Sequence, residues 1–163
     1  MFTGALAASY YGRARTTGDI DVVVAVRGRG WRTKLVSALR QAGLVVDEKN
    51  IDDALKSSYR IVTFKDKKSP LTVDIILSGE KLEKKSGKIL GLPTFYQTTE
   101  DFISAKLRMI KVTVPRERAL KDIDDVKAVL KFSRVNLEVV REKAEKDNTI
   151  AILEEIIKEN KQF

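Results

Sequence analysis

The chain has 163 residues, of which 43% are apolar and 33% are charged, and its formal net charge is +8. This length and balance exclude a disordered chain and fit one domain with a real core, or one domain with a small helical appendage. Histidine and cysteine do not occur, which excludes catalysis by histidine and zinc sites built on His or Cys. Any catalysis must therefore depend on carboxylates, lysine, arginine, hydroxyl groups and metal.

Polarity and charge also limit location and partners. No apolar run approaches the roughly 20 residues of a membrane span, and no secretory signal is visible. The absence of cysteine is typical of a cytoplasmic protein, and abundant lysine and glutamate indicate a thermophile. The positive surplus suits a polyanion such as RNA or a triphosphate, although a lysine-rich soluble surface explains it equally well.

The chain begins with a glycine turn. Gly4 and Ala5 open a short apolar helix predicted over residues 6–11, and the loop that follows carries Arg13 and Arg15. Glycine permits a close backbone approach, and the first turn of a helix offers free N–H groups to an anion. This turn is therefore a candidate phosphate contact.

A pair of carboxylates comes next. Asp19 and Asp21 lead into the β-branched run 22–26, which predicts a buried strand. Because side chains alternate along a strand, the two carboxylates share one face, and Mg²⁺ or Mn²⁺ would relieve their repulsion. The D-x-D pattern recurs at Asp122, so the pair alone is a weak signal, and two solvated strand-end carboxylates are the alternative.

The order of these features carries more information than either motif. The segment from Thr3 reads TGALAASYYGRARTTGDIDVVV and resembles the signature of the DNA polymerase β-type nucleotidyltransferases, hG[GS] followed by [DE]h[DE]h. It is especially similar to the minimal and AbiEii-like branch, which includes toxin–antitoxin nucleotidyltransferases. The resemblance implies a metal-dependent transfer of NMP from an NTP, with ATP among the candidates. Ala5 departs from the pattern, since Gly or Ser is usual there, and a serine hydroxyl contact to phosphate is lost.

The N-terminus is short for this family, in which a helix and a strand precede the glycine turn. Only Met1 to Thr3 come before Gly4. We therefore expect an alternative upstream start.

The middle of the chain alternates between helical and strand patterns. Gly43 is predicted to end the first of these helices, and residues 49–57 form a loop or short helix. Two later strands form an antiparallel hairpin through a polar turn. The predicted helix is 31–42, and the predicted strands are 44–46, 59–65 and 71–77.

Asp74 lies inside an otherwise apolar strand, LTVDIIL. A salt bridge on an exposed sheet face explains such a carboxylate as well as a functional site does. The family resemblance implies a third catalytic carboxylate on a strand antiparallel to that of Asp19 and Asp21. Asp74 would then accept the proton of the attacking hydroxyl or hold a second metal ion.

Residues 79–91 are basic and bounded by glycine, which predicts either a loop over the site or a solvated linker.

Helical patterns follow this segment. Thr98 or Thr99 begins one helix that runs to about Lys111, and Pro115 fits the first turn of the next. Helices at 136–146 and 150–160 complete a bundle, as packing elements or a dimer contact.

The predicted helix that begins at Pro115 carries a further resemblance. Lys121 to Val126 is similar to the [KR]-D-x-x-D-h motif of AbiEii-like proteins, and Lys106 is similar to the lysine that precedes it. The resemblance implies that Lys106, with Arg13 and Arg15, helps to bind the nucleotide. For Asp122 and Asp125, pairing with nearby basic residues is the favoured interpretation.

The predicted fold is α/β (α+β), with a small mixed sheet in a nucleotidyltransferase-like core at 1–95 and a helical bundle at 96–163. The predicted function is NMP transfer to a hydroxyl on RNA, a protein or a small molecule. Asp19, Asp21 and Asp74 would hold Mg²⁺ or Mn²⁺, and Gly4, Ala5, Arg13, Arg15 and Lys106 would hold phosphates. The alternatives are a silent nucleotide- or RNA-binding module and a toxin–antitoxin component that acts through a partner protein. A homodimer is a further possibility.

Overall fold

The computed structural model describes residues 1–160 and confirms a mixed α/β fold. The chain divides into two compact units. The first contains Met1–Leu6 and Thr16–Tyr96, and the second contains Ala7–Arg15 and the chain from Gln97 onward. The predicted first domain, 1–95, thus differs in one segment, because residues 7–15 pack with the C-terminal helices.

The elements of the described chain alternate until residue 66 and then separate into strands and helices. The helices are α1 (Gly4–Tyr10), α2 (Trp31–Gln41), α3 (Glu48–Lys56), α4 (Thr99–Val112), α5 (Leu120–Phe132), α6 (Leu137–Lys146) and α7 (Ile150–Asn160). The strands are β1 (Asp19–Ala25), β2 (Leu44–Val45), β3 (Ile61–Asp66), β4 (Thr72–Ser78), β5 (Lys84–Ile89) and β6 (Leu92–Gln97).

The first unit is built on a four-stranded sheet with the order β1-β4-β3-β2. The predicted hairpin forms, since β3 and β4 are antiparallel. The predicted antiparallel relation between β4 and the strand of Asp19 and Asp21 is wrong, because β1 and β4 are parallel. The reason is the direction of the hairpin: β3 runs against β1, so the strand that follows its turn runs along β1 again.

One face of this sheet forms the core of the first unit. Side chains at alternate positions of β3 and β4 pack against α2 and α3. The residues of that core are Leu35, Val36, Leu39, Leu44, Ile51, Ala54, Val62, Phe64, Ile75 and Leu77. Asp74 lies between the core positions of β4, and in the register of β1 and β4 it pairs with Asp21. The three carboxylates Asp19, Asp21 and Asp74 therefore lie on the opposite face of the sheet.

The basic segment after β4 is not the loop or linker that its composition predicts. It forms the two-stranded sheet β5–β6, joined at Leu90 and Gly91, whose φ angles are 48° and 82°. Two consecutive positive φ angles are typical of a type I′ hairpin turn. Asn-Gly is the usual sequence for this turn, so Leu-Gly does not signal it.

The N-terminal residues connect this hairpin to β1. Phe2 forms an antiparallel bridge with Val22 of β1 and a parallel bridge with Tyr96 of β6. The Phe2 amide donates to the carbonyl of Phe95 at 2.8 Å, and the Thr3 amide donates to that of Asp21 at 3.0 Å. The strand β6 therefore lies two strand positions away from β1.

The second unit packs α4–α7 around a largely aliphatic core. The side chain of Thr98, one of the two predicted starts, caps α4, and the side chain of Asn136 caps α6. Pro115 instead precedes a 3₁₀ turn at Arg116–Ala119, and α5 begins at Leu120. The largest fully buried side chains of this unit are Phe102, Ile103, Leu107, Val126, Val129, Val140, Thr149, Leu153 and Ile156. None of the helices within residues 1–160 is both long enough and apolar enough to span a membrane.

Candidate functional site

Three carboxylates converge on one face of the four-stranded sheet. Asp19 and Asp21 lie two residues apart on β1, and Asp74 lies on the adjacent strand β4. In the parallel register Asp21 is the direct partner of Asp74. One oxygen atom from each of the three carboxylates lies within 4.8 Å of the other two. The sequence prediction that these three residues share one face is therefore confirmed in geometry.

Two threonine hydroxyls orient these carboxylates. The hydroxyl of Thr63 on β3 donates a 2.6 Å hydrogen bond to Oδ1 of Asp74, its direct cross-strand partner. The hydroxyl of Thr17 donates to Oδ1 of Asp19. Sequence reasoning missed both residues. For Thr17 the two-residue spacing before Asp19 is a local signal, whereas Thr63 becomes visible only when the β3–β4 register is known.

Gly4 lies directly against Asp21. Its φ angle is +56°, and a Cβ atom at this position would lie 1.8 Å from Oδ2 of Asp21. No side chain fits that space, and the left-handed backbone itself favours glycine. Ala5, the next residue, is buried with 2% exposure. The glycine of the first motif and the carboxylate of the second are thus in contact, as their order in the sequence suggested.

The three carboxylates have the chemistry of a site for a hard divalent cation. Their donors are all oxygen atoms, the ligands that Mg²⁺ and Mn²⁺ prefer. None of the three side chains is fully buried, so a hydrated ion and a substrate oxygen would have access. Like charges this close repel each other, and a bound cation would remove that repulsion.

The predicted phosphate-binding cations occupy a different cluster, within the second unit. They surround Asp125, whose side chain is completely buried. Its oxygen atoms lie 2.7 Å from Arg13 Nη1, 3.7 Å from Arg15 Nε and 2.9 Å from Lys106 Nζ. Lys106 also pairs with Asp122 at 2.6 Å. The favoured pairing of Asp122 and Asp125 with a basic residue is confirmed.

The positions of these cations constrain their predicted role. Arg13 uses Nη1 for Asp125 and Nη2 for Asp124 at 3.1 Å. The Arg15 side chain is 17% exposed and that of Lys106 is 12% exposed. Each would have to share its charge between a buried carboxylate and a phosphate. Phosphate binding by Arg13, Arg15 and Lys106 stays a prediction.

Comparison with known proteins adds no functional assignment. No protein-family model and no curated protein matches this chain. The functional interpretation therefore depends on the carboxylates, on their neighbours and on the sequence resemblance.

Proposed function

We propose that this protein is a metal-dependent nucleotidyltransferase that moves an NMP group from an NTP to a hydroxyl acceptor. The observation that carries the proposal is the convergence of Asp19, Asp21 and Asp74 on adjacent parallel strands. The contact between Gly4 and Asp21 supports it, because it joins the two motifs that the sequence shares with this superfamily.

The proposed roles follow from the donor set. Asp19 and Asp21 hold Mg²⁺ or Mn²⁺ on the open face of β1. A bound ion of this kind neutralises the triphosphate and polarises the phosphate that is attacked. Asp74 accepts the proton of the acceptor hydroxyl or contributes to a second metal site. The hydrogen bond from Thr63 to Oδ1 of Asp74 holds that carboxylate in one orientation and engages one of its two oxygen atoms.

The proposed reaction is a nucleophilic substitution at the α-phosphorus of the NTP. The acceptor oxygen forms a bond to the α-phosphorus, the bond between that phosphorus and the α,β-bridging oxygen breaks, and pyrophosphate leaves. The proton of the hydroxyl passes to Asp74 and then to water. By resemblance to the family, we propose phosphate contacts for the backbone of Gly4 and Ala5, and a separate contribution of Arg13, Arg15 and Lys106 to nucleotide binding. A cytoplasmic location remains a prediction.

The ion pairs of the second unit favour one alternative, a module that binds a nucleotide or RNA without turnover. The charges of Arg13, Arg15 and Lys106 are already opposed by Asp125, and Ala5 provides no hydroxyl. In that case binding would persist but no group would be transferred. Action through a partner protein, as in a toxin–antitoxin pair, remains a further proposal.

A label-transfer experiment tests the proposal. The wild-type protein is incubated with each α-labelled NTP, Mg²⁺ or Mn²⁺, and total RNA or cell lysate. We expect label to appear in a product with wild type and not with Asp21→Asn. The chemical form of the labelled product, whether RNA, protein or small molecule, identifies the acceptor class.

Asp53→Asn is the matched control, since Asp53 is exposed on α3 and the substitution removes the same charge. Circular dichroism establishes that both variants are folded. Equal label transfer by wild type and Asp21→Asn would overturn the metal assignment. Nucleotide binding without any transfer by wild type would favour the binding module.

A further inference from the structure

The β5–β6 hairpin of the first unit presents cations and exposed apolar groups together. From Lys84 to Gln97 the chain carries three lysines and no carboxylate. Lys84, Lys85 and Lys88 are all exposed. Leu90 at the turn is 98% exposed and Leu92 is 70% exposed. An exposed leucine with positive φ contributes nothing to the folded core, so folding does not explain the composition of this hairpin.

An aromatic ring lies among these lysines. Phe95 is 42% exposed, and the Lys84 ammonium lies 3.8 Å from the centroid of its ring. The cation and the ring are therefore on the same side of the hairpin. A flat aromatic surface beside lysines is the combination by which proteins hold single-stranded nucleic acid, with bases stacked on the ring and phosphates on the cations.

The bridges of Phe2 relate this surface to the carboxylates. Phe2 pairs with Tyr96 on one side and with Val22 on the other, so Tyr96 and Val22 lie at the same position along the strands. Phe95 precedes Tyr96 in the sequence, and Asp21 precedes Val22. Alternation along each strand places Phe95 and Asp21 on the same face. With about 4.8 Å between strands and about 3.3 Å per residue, their Cα atoms are about 12 Å apart.

We propose that the β5–β6 hairpin binds single-stranded RNA through Phe95 and the two lysines on its side of the hairpin, Lys84 and Lys88. A strand held there runs along the same sheet face toward Asp19, Asp21 and Asp74, and its hydroxyl is the acceptor of the NMP group. The identity of the acceptor rests on the proposed nucleotidyltransferase function, whereas the binding itself does not.

Fluorescence anisotropy tests the binding. The probe is a labelled RNA of about 12 nucleotides without self-complementarity, titrated with the whole protein at several salt concentrations. Lys84→Gln/Lys88→Gln is compared with Lys56→Gln/Lys68→Gln, which removes two exposed lysines of the same unit outside the hairpin. We expect the hairpin variant alone to weaken binding and to reduce the slope of log Kd against log salt by about 1.4.

Phe95→Leu separates stacking from charge, since it keeps an apolar side chain and every lysine. We expect this variant to bind the RNA at least about fivefold more weakly, with an unchanged salt slope. Circular dichroism of each variant is compared with that of wild type to establish that it is folded. If either the lysine variant or Phe95→Leu were misfolded, the other would still test the proposal. An affinity and salt slope that none of the hairpin variants changes would overturn the proposal. So would tight binding to anionic phosphatidylglycerol vesicles with no binding to the RNA.

The Asp21→Asn variant distinguishes this proposal from the proposed function. We expect it to bind the RNA as wild type does, because the hairpin is intact. RNA binding without label transfer by wild type would leave the hairpin proposal standing and remove the enzyme. Label transfer to another acceptor, without RNA binding, would remove the hairpin proposal and leave the enzyme.

Discussion

Asp21 and Asp74 are direct partners on two adjacent parallel strands, so that their carboxylates lie side by side on one sheet face. Asp19 adds a third negative charge on the same face. Hydrogen bonds from Thr17 and Thr63 orient Asp19 and Asp74 without neutralising them. The three like charges repel one another, and a bound divalent cation would remove that repulsion.

The first prediction concerns stability with and without divalent cations. We expect Mn²⁺ or Mg²⁺ to raise the melting temperature of wild type, since an ion that binds only the folded state stabilises it by mass action. At 100 times Kd the gain is about 2.7 kcal/mol. In a chelating buffer Asp21→Asn should be at least as stable as wild type, because one repulsive charge is gone. Differential scanning calorimetry measures both.

Asp53→Asn serves again as the control, and its response to Mn²⁺ should match that of wild type. An equal rise in the melting temperature of wild type and Asp21→Asn would place the bound ion elsewhere. A large loss of stability of Asp21→Asn in chelator would show that the favourable interactions of Asp21 in the folded state outweigh the repulsion.

The second prediction concerns Gly4. A methyl group there would lie 1.8 Å from Oδ2 and 3.0 Å from Cβ of Asp21, and φ at this residue is +56°. Gly4→Ala should therefore lower the free energy of unfolding by about 2–4 kcal/mol, from steric strain and from the left-handed backbone together. Urea denaturation measures the change.

A double-mutant cycle separates these two causes. Asp21→Gly removes the three atoms that would lie nearest to the new methyl group, so Gly4→Ala in that background should retain only the backbone cost of about 1–2 kcal/mol. The same loss in both backgrounds would contradict a steric origin and assign the whole effect to φ.

Local patterns predicted the elements of this fold better than their pairing. The strand of Asp19 and Asp21, the helix that ends before Gly43 and the cap at Thr98 each follow from a few neighbouring residues. The parallel relation of β1 and β4 does not, because it depends on how many times the chain reverses between them. The sequence did not predict the β5–β6 hairpin, because its lysines and its Leu-Gly turn resemble a solvated linker.

Some residues of the candidate site also follow from local patterns, whereas others depend on how distant segments pair. Asp19 and Asp21 are recognisable from two-residue spacing, and Asp74 from its position in an apolar strand. Thr63 depends on the register of β3 against β4. The ion pair between Arg13 and Asp125 joins residues 112 positions apart, and no local pattern reports such a separation. The sequence favoured pairing of Asp125 but could not select Arg13 as one of its partners.

The third prediction concerns that buried carboxylate. Asp125 is fully buried among Arg13, Arg15 and Lys106, and removing one member of a buried ionic group leaves the others uncompensated. Asp125→Asn should lower the free energy of unfolding by about 3–5 kcal/mol. Asp124→Asn is the neighbouring control, because its side chain is 55% exposed and also pairs with Arg13. That variant should lose at most about 1 kcal/mol.

Urea denaturation compares the two variants directly. Similar losses for Asp124→Asn and Asp125→Asn would contradict the assignment of the stabilisation to the buried partner. They would show instead that Arg13 reorients toward whichever carboxylate remains.

The fourth prediction concerns the response to high pH. Tyr11 is buried, and its hydroxyl donates to the carbonyl of Gln97. Burial, with smaller contributions from Tyr10 and Glu100, raises the pKa of Tyr11 above its ordinary value. An unfolded tyrosine loses its proton near pH 10, whereas the folded one keeps it to a higher pH. This contribution to stability is therefore full below about pH 10 and is lost as the pH rises toward the higher folded pKa.

Tyr11→Phe tests the hydrogen bond of Tyr11 at neutral pH and the raised pKa of Tyr11 at high pH. At pH 7 it should lose about 1 kcal/mol, the net value of one hydrogen bond. Between pH 10 and 12 its free energy of unfolding should fall less than that of wild type, by up to about 1.4 kcal/mol for each pH unit. Tyr59→Phe is the control, since Tyr59 is 80% exposed, and its pH profile should follow that of wild type. Urea denaturation at pH 7, 10, 11 and 12 gives the profiles. Parallel profiles for all three proteins would assign the alkaline loss to lysine deprotonation and not to Tyr11.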